Sequence, residues 1–133
     1  MSPSEMAAAN GRAMKIKGSA FEREVVAFLR DHGHPYAERA YGAGRPGDVG
    51  DIDGVVGWTI EAKNHQKLNL AGWVDEAECE RVSGRQPFAA VVAKRGGKPV
   101  GAAYVVMTLE QFAGMLADPE NLNPGGTATL SKE

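Results

Sequence analysis

Apolar residues recur at helical spacing in separate stretches of the chain. Phe21, Val25, Phe28 and Leu29 share one stripe, which predicts a helix from Ser19 to about His32, stopped by Gly33. Leu70, Trp73, Val74 and Ala77 predict a second helix over Leu70 to Ser83, closed by Gly84. Thr108 is placed to cap a last helix ending near Asp118-Pro119, with Gln111 completing a capping box. Elsewhere the period shortens to that of strands. A short strand fits Pro35 to Tyr41, and a hairpin fits about 51–56 and 58–64. Phe88 to Ala93 and Val100 to Thr108 read as strongly apolar strands joined by Gly96-Gly97-Lys98-Pro99. Gly42 to Gly50, with four glycines and Pro46, is a loop. The predicted order is α-β-β-β-α-β-β-α. It implies an α/β or α+β fold with a central mixed sheet covered by helices on both faces. Residues 1–14 and 119–133 are polar or turn-forming and read as flexible segments flanking a single domain, residues 15–118.

The hairpin carries the candidate chemistry. Alternation sends Glu61 and Lys63 to one face and Ile60 and Ala62 to the other, while Asp51 and Asp53 share a face of the preceding strand. Pairing about Val56 puts Asp51 opposite Glu61. Two carboxylates that close repel unless a cation lies between them, and hard oxygen ligands suit Mg²⁺ or Mn²⁺. Lys63 adds a positive charge beside them. The bland alternative is a charged exposed face with Lys63 paired across strands. On the first helix, Glu22 is the carboxylate most nearly aimed toward the sheet. A capping box of Ser19 with Glu22 competes for the same oxygens.

Composition narrows the setting. A 133-residue chain with 43% hydrophobic and 24% charged residues is large enough for one core without staples. Cys79 is the one cysteine, so no disulfide joins two parts of the chain, and a reducing, cytoplasmic setting is expected. No apolar run approaches the roughly 20 residues of a membrane span, and no signal-peptide pattern opens the chain. The net charge of −2 does not advertise a nucleic-acid binder. Basic residues nevertheless gather at Arg12, Lys15 and Lys17, at Arg39 and Arg45, and at Lys94, Arg95 and Lys98, while acidic ones concentrate in the hairpin and at Asp75, Glu76, Glu78 and Glu80. No Cys or His cluster has zinc-ligand spacing. His65, two residues past Lys63, is within reach of a phosphate or incidental, and Trp58 and Trp73 read as core or dimer contacts rather than base-stacking platforms.

Lys17-Gly18-Ser19-Ala20-Phe21-Glu22-Arg23-Glu24, a Gly-rich basic loop, Gly50-Asp51-Ile52 and Ile60-Glu61-Ala62-Lys63-Asn64 together resemble the PD-(D/E)XK nuclease superfamily. Within it they are similar to the Holliday junction resolvases of archaea and their phage relatives, over about residues 15–117. The resemblance implies a restriction-endonuclease-like α-β-β-β-α-β core and a Mg²⁺-dependent endonuclease that acts as a homodimer on four-way junctions. Mn²⁺ is expected to substitute. It also implies a cytoplasmic protein, acting in a host cytoplasm if phage-encoded. Carried over by position, Asp51 and Glu61 are metal ligands with the Ala62 carbonyl, Glu22 is an outer or direct ligand, and Lys63 orients the attacking water or stabilises charge on phosphate. Gly50 stands where the motif name has proline, and Asp51, Asp48 and Asp53 compete in that order for the aspartate position. Lys15, Lys17, Arg39, Arg45, Asn64, Lys94 and Arg95 are the candidate DNA contacts. Three alternatives remain: a repair or restriction-type nuclease acting on duplex, flap or damaged DNA, a branched-DNA-binding module that does not cut, and a metal-free interaction domain in which Glu22 is only a cap and the hairpin only a charged surface.

Overall fold

The computed structural model describes residues 2–40 and 50–118. Its element order is α1 (Pro3–Asp31), β1 (Glu38–Arg39), β2 (Ile52–Asp53), β3 (Trp58–Lys63), α2 (Leu70–Ser83), β4 (Phe88–Ala93), β5 (Tyr104–Val106) and α3 (Leu109–Ala117). The five strands form one mixed sheet in the order β1-β2-β3-β4-β5. Among the described strands only β3 and β4 run parallel, because α2 carries the chain across between them. Arg45, Asp48 and the tail after Asp118 lie outside the described residues.

The first helix corrects its expected start. It begins at Pro3, where Ser2 Oγ accepts from the Glu5 backbone N–H at 3.2 Å and Glu5 Oε1 accepts from Ser2 N–H at 2.8 Å. Ser2/Glu5 and Ser19/Glu22 carry the same Ser-x-x-Glu pattern, and the outer pair forms the cap. Ala7, Ala8 and Ala9 propagate the helix cheaply despite Gly11 and Gly18. Almost every side chain before Gly18 is exposed, so this extension is held by its cap and by propensity rather than by packing.

From Phe21 onward α1 packs on the sheet. Phe21, Val25 and Val26 join Ala37, Ile52, Ile60 and Ala62 in one core. Trp73 and Ala77 of α2 join Ala89, Val91 and Ala93 in a second core on the opposite face. Strand alternation explains the division. The even positions of β3 and β4 turn to α1, and the odd positions turn to α2. The sheet is thus flanked by helices on both faces.

The expected strand over 100–108 is divided. Pro99 opens a 3₁₀ turn at Val100–Ala102, and β5 begins only at Tyr104. Phe28 packs so closely on Gly101 that a Cβ there would lie 2.8 Å from its ring. Thr108 caps α3 as expected, its Oγ1 accepting from Gln111 N–H at 3.2 Å. The Gln111 side chain does not close a capping box. It is buried, accepts from Ala89 N–H at 2.6 Å and donates to Glu78 Oε2, tying α3 to β4 and α2.

Candidate metal centre and basic cleft

Ile52 pairs with Ile60, which is the register of a hairpin folded about Val56. Asp51 precedes β2 by one residue and is locked on three sides. Its N–H donates to Ile60 O at 2.9 Å, its carbonyl accepts from Ala40 N–H at 2.9 Å, and its Oδ2 accepts from Ala62 N–H at 2.9 Å. Asp53 instead turns Oδ1 onto Gly54 N–H at 2.8 Å, which is turn chemistry.

Glu61 lies on the α2 side of β3 and is only 3% exposed. Its Oε2 accepts no hydrogen bond among the described residues. Gly50, at φ +88°, makes room for it, since a Cβ at that position would lie 2.8 Å from Glu61 Oε2 and 2.7 Å from Ile60 O. A side chain on residue 50 is therefore excluded by backbone conformation and by space together.

Burial pushes the Glu61 carboxyl up to about 9, aided by the negative charges of Asp51, Glu80 and Glu76. Asp51 is also raised, first by burial and then by Glu22 and Glu76, against the opposing pull of the Ala62 N–H and Lys63. Burial alone would lower Lys63, but its ion pair with Glu76 at 2.9 Å, helped by Glu61 and Asp51, raises it. Lys63 is therefore a cation at neutral pH, fitted to stabilise negative charge rather than to accept a proton.

Two glutamates absent from the sequence-based site belong to this cluster. Single carboxylate oxygens of Glu61, Glu76 and Glu80 lie within 4.8 Å of one another. Glu76 and Glu80 are one helical turn apart on α2 and flank the buried Trp73 and Ala77, so they ride beside the stripe that packs on the sheet. The signal was present as an i, i+4 acidic pair next to an apolar stripe. It is lost when Asp75 to Glu80 is taken as one charged stretch.

Glu22 takes neither the capping role nor a place in this trio. It accepts from Arg39 Nε at 3.0 Å, and Arg39 also donates to Ser19 Oγ at 3.2 Å. Its charge still reaches Asp51. Ala62 is buried and contributes its N–H to Asp51.

The basic candidates divide between locations. Lys17, Asn64, Lys94 and Arg95 line one cleft of about 500 Å³ with Lys98, His65, Gln66 and Tyr104. The cleft lies past the ends of β3 and β4, where Lys94 N–H donates to Lys63 O at 2.9 Å, and Asp51, Glu61 and Lys63 do not line it. Lys94 also sits 3.6 Å from Glu24, and Arg95 lies over the Tyr104 ring at 5.0 Å. Lys15 is exposed on α1 and does not line the cleft, while Arg39 lines a separate one with Arg23 and Arg30.

The buried Glu61, with Oε2 unsatisfied, beside the partly buried Glu80 and the exposed Glu76 fits a hard divalent cation, which would offset the burial and the repulsion that raise the Glu61 carboxyl. Comparisons of the chain with protein-family models, curated proteins and solved structures give no match. Among the described residues no helix is long and apolar enough to cross a membrane.

Proposed function

We propose that this chain is a Mg²⁺-dependent endonuclease of the PD-(D/E)XK type that cuts branched DNA, four-way junctions above all, and works as a homodimer. The observation that carries the reading is the meeting of Asp51 and Glu61 with the charged Lys63, whose chain neighbour Asn64 lines a basic cleft. The order of α1, three strands, α2 and β4 is compatible with a restriction-endonuclease-like core.

Asp51 and Glu61 would hold the cation, which supplies Lewis acidity toward a phosphate oxygen and a more acidic water. Asp51 is preset for this by the Ala62 N–H, which leaves its other oxygen for a ligand. Lys63, kept charged, stabilises negative charge developing on the phosphate. Lys17, Asn64, Lys94, Arg95 and Lys98 hold the backbone by contacts that carry no base information. Dimerisation is supported by the apolar edge of β5 and α3, where Val105, Leu109 and Phe112 are exposed.

The test is a cleavage gel with a synthetic four-way junction, a flap and a plain duplex, in Mg²⁺ or EDTA, beside Glu61→Gln. Mg²⁺-dependent cutting of the junction, lost in the variant, is expected. Equal cutting of plain duplex would sink junction selectivity, and undiminished cutting by Glu61→Gln would sink the site.

A further inference from the structure

We infer that α2 completes the divalent-cation site in this protein, with Glu80 and Glu76 joining Glu61 as ligands beside Asp51, in place of a carboxylate from α1. This deepens the reading of Glu61 as a metal ligand and rests on it.

The first observation is the placement of the three carboxylates. One oxygen from each lies within 4.8 Å of the others, a span that one cation can bridge. The second is Glu61 itself. It is 3% exposed, its Oε2 has no hydrogen-bond donor among the described residues, and the hydrogen bond its carboxyl shares with Glu80 exists only while one of the two holds a proton. A buried carboxylate so placed costs free energy unless a proton or a cation meets it.

The helix explains the choice of ligands. Glu76 and Glu80 follow the contact face of α2 at one-turn spacing, so the packing of Trp73 and Ala77 that seats the helix also aims both carboxylates at β3. Glu22, the α1 candidate, accepts from Arg39 at 3.0 Å instead. Glu76 has one oxygen on Lys63 at 2.9 Å, leaving its second oxygen for a cation. The lysine and the cation thus share Glu76 as a common neighbour.

Mn²⁺ alone is the probe. The full chain is stripped with EDTA, desalted and titrated while free Mn²⁺ is followed by electron paramagnetic resonance. Glu61→Gln, Glu80→Gln and Glu22→Gln are compared with the unaltered protein. Glu61→Gln and Glu80→Gln are each expected to weaken Mn²⁺ binding by more than about ten-fold, and Glu22→Gln to leave it within about two-fold. Melting curves guard against misfolding. Glu80→Gln should melt at or above the unaltered protein without metal, and should lose the upward shift that Mn²⁺ produces. Unchanged affinity in Glu80→Gln, equal loss in Glu22→Gln, or no Mn²⁺ binding by the unaltered protein would each overturn the inference. Junction cleavage run in parallel separates the two readings. Binding through Glu61 and Glu80 with no DNA cut keeps the cation site and removes the nuclease. Cutting that survives Glu80→Gln, with unchanged Mn²⁺ affinity, does the reverse.

Discussion

Lys63 Nζ lies 2.9 Å from Glu76 Oε1, so the lysine of the Glu-x-Lys motif is held by the helix that crosses over its own strand. Glu76 is half-exposed, and an ion pair of that kind contributes little to stability. Its consequence is positional and electrostatic. Lys63→Met is expected to retain junction binding while cleavage falls by roughly 10²–10³, the cost of losing one preorganised charge at a developing anion. Band-shift and single-turnover assays on the same preparation check this. Cleavage at the unaltered rate would show that Lys63 is only structural.

Stability should fall with rising pH in the absence of metal. Glu61 is raised from an ordinary value of 4.5 to about 9 in the folded chain, so the folded state holds a proton that the unfolded state releases. The stabilisation is complete below about pH 4.5 and is lost as pH rises through about 9. Across that window the slope approaches about 1.4 kcal/mol per pH unit. Asp51 is shifted in the same direction and adds to it. Urea unfolding in EDTA at several pH values measures the slope, and Glu61→Gln should flatten it. The absence of a fall in stability over the same range would show that Glu61 is ionised in the fold.

Gly50→Ala tests the room left for Glu61. The new Cβ would meet Ile60 O at 2.7 Å and Glu61 Oε2 at 2.8 Å in a backbone at φ +88°. A loss of about 1–3 kcal/mol is expected from strain at such a position, and cation affinity should fall with it. Thermal melting and Mn²⁺ titration read the two effects separately.

Gln111→Leu removes the acceptor for Ala89 N–H and the donor to Glu78. The buried Ala89 N–H is then left unmet, while the partly buried Glu78 keeps Arg81, and a loss of about 1–3 kcal/mol is expected. Chemical denaturation measures it. DNA cutting by the folded fraction should persist, because Gln111 is remote from Asp51 and Lys63 in its contacts.

The basic cleft predicts a salt signature. Lys17→Ala, Lys94→Ala and Lys98→Ala should each weaken junction binding and reduce the slope of log affinity against log salt by up to about 0.9. Lys15→Ala, outside the cleft, should change the slope less. Fluorescence anisotropy over a range of salt concentrations distinguishes them.

Local periodicity was enough for α2 and β4, whose bounds match the pattern of Leu70 to Ser83 and Phe88 to Ala93. It was also enough for the register of the hairpin, because a turn at Val56 keeps Ile52 and Ile60 together in the core, although β2 is only Ile52–Asp53 rather than a strand to residue 56. It could not choose between Ser2/Glu5 and Ser19/Glu22 as the start of α1, since each pair satisfies the same local rule. Nor could apolarity alone distinguish a long β5 from a 3₁₀ turn followed by a short strand, where Pro99 and the packing of Phe28 on Gly101 decide.

The same distinction runs through the site. Strand alternation, a property of neighbouring residues, already assigns Glu61 and Lys63 to one face and sets Asp51 against them across the turn. Tertiary packing decided which other charges arrive. It seated α2 on that face and brought Glu76 and Glu80 to Glu61, while Arg39 on β1 drew Glu22 into a separate ion pair. The reason is range. A period of two or 3.6 residues is written in adjacent side chains, whereas the meeting of α2 with β3 depends on a crossover that no local pattern encodes.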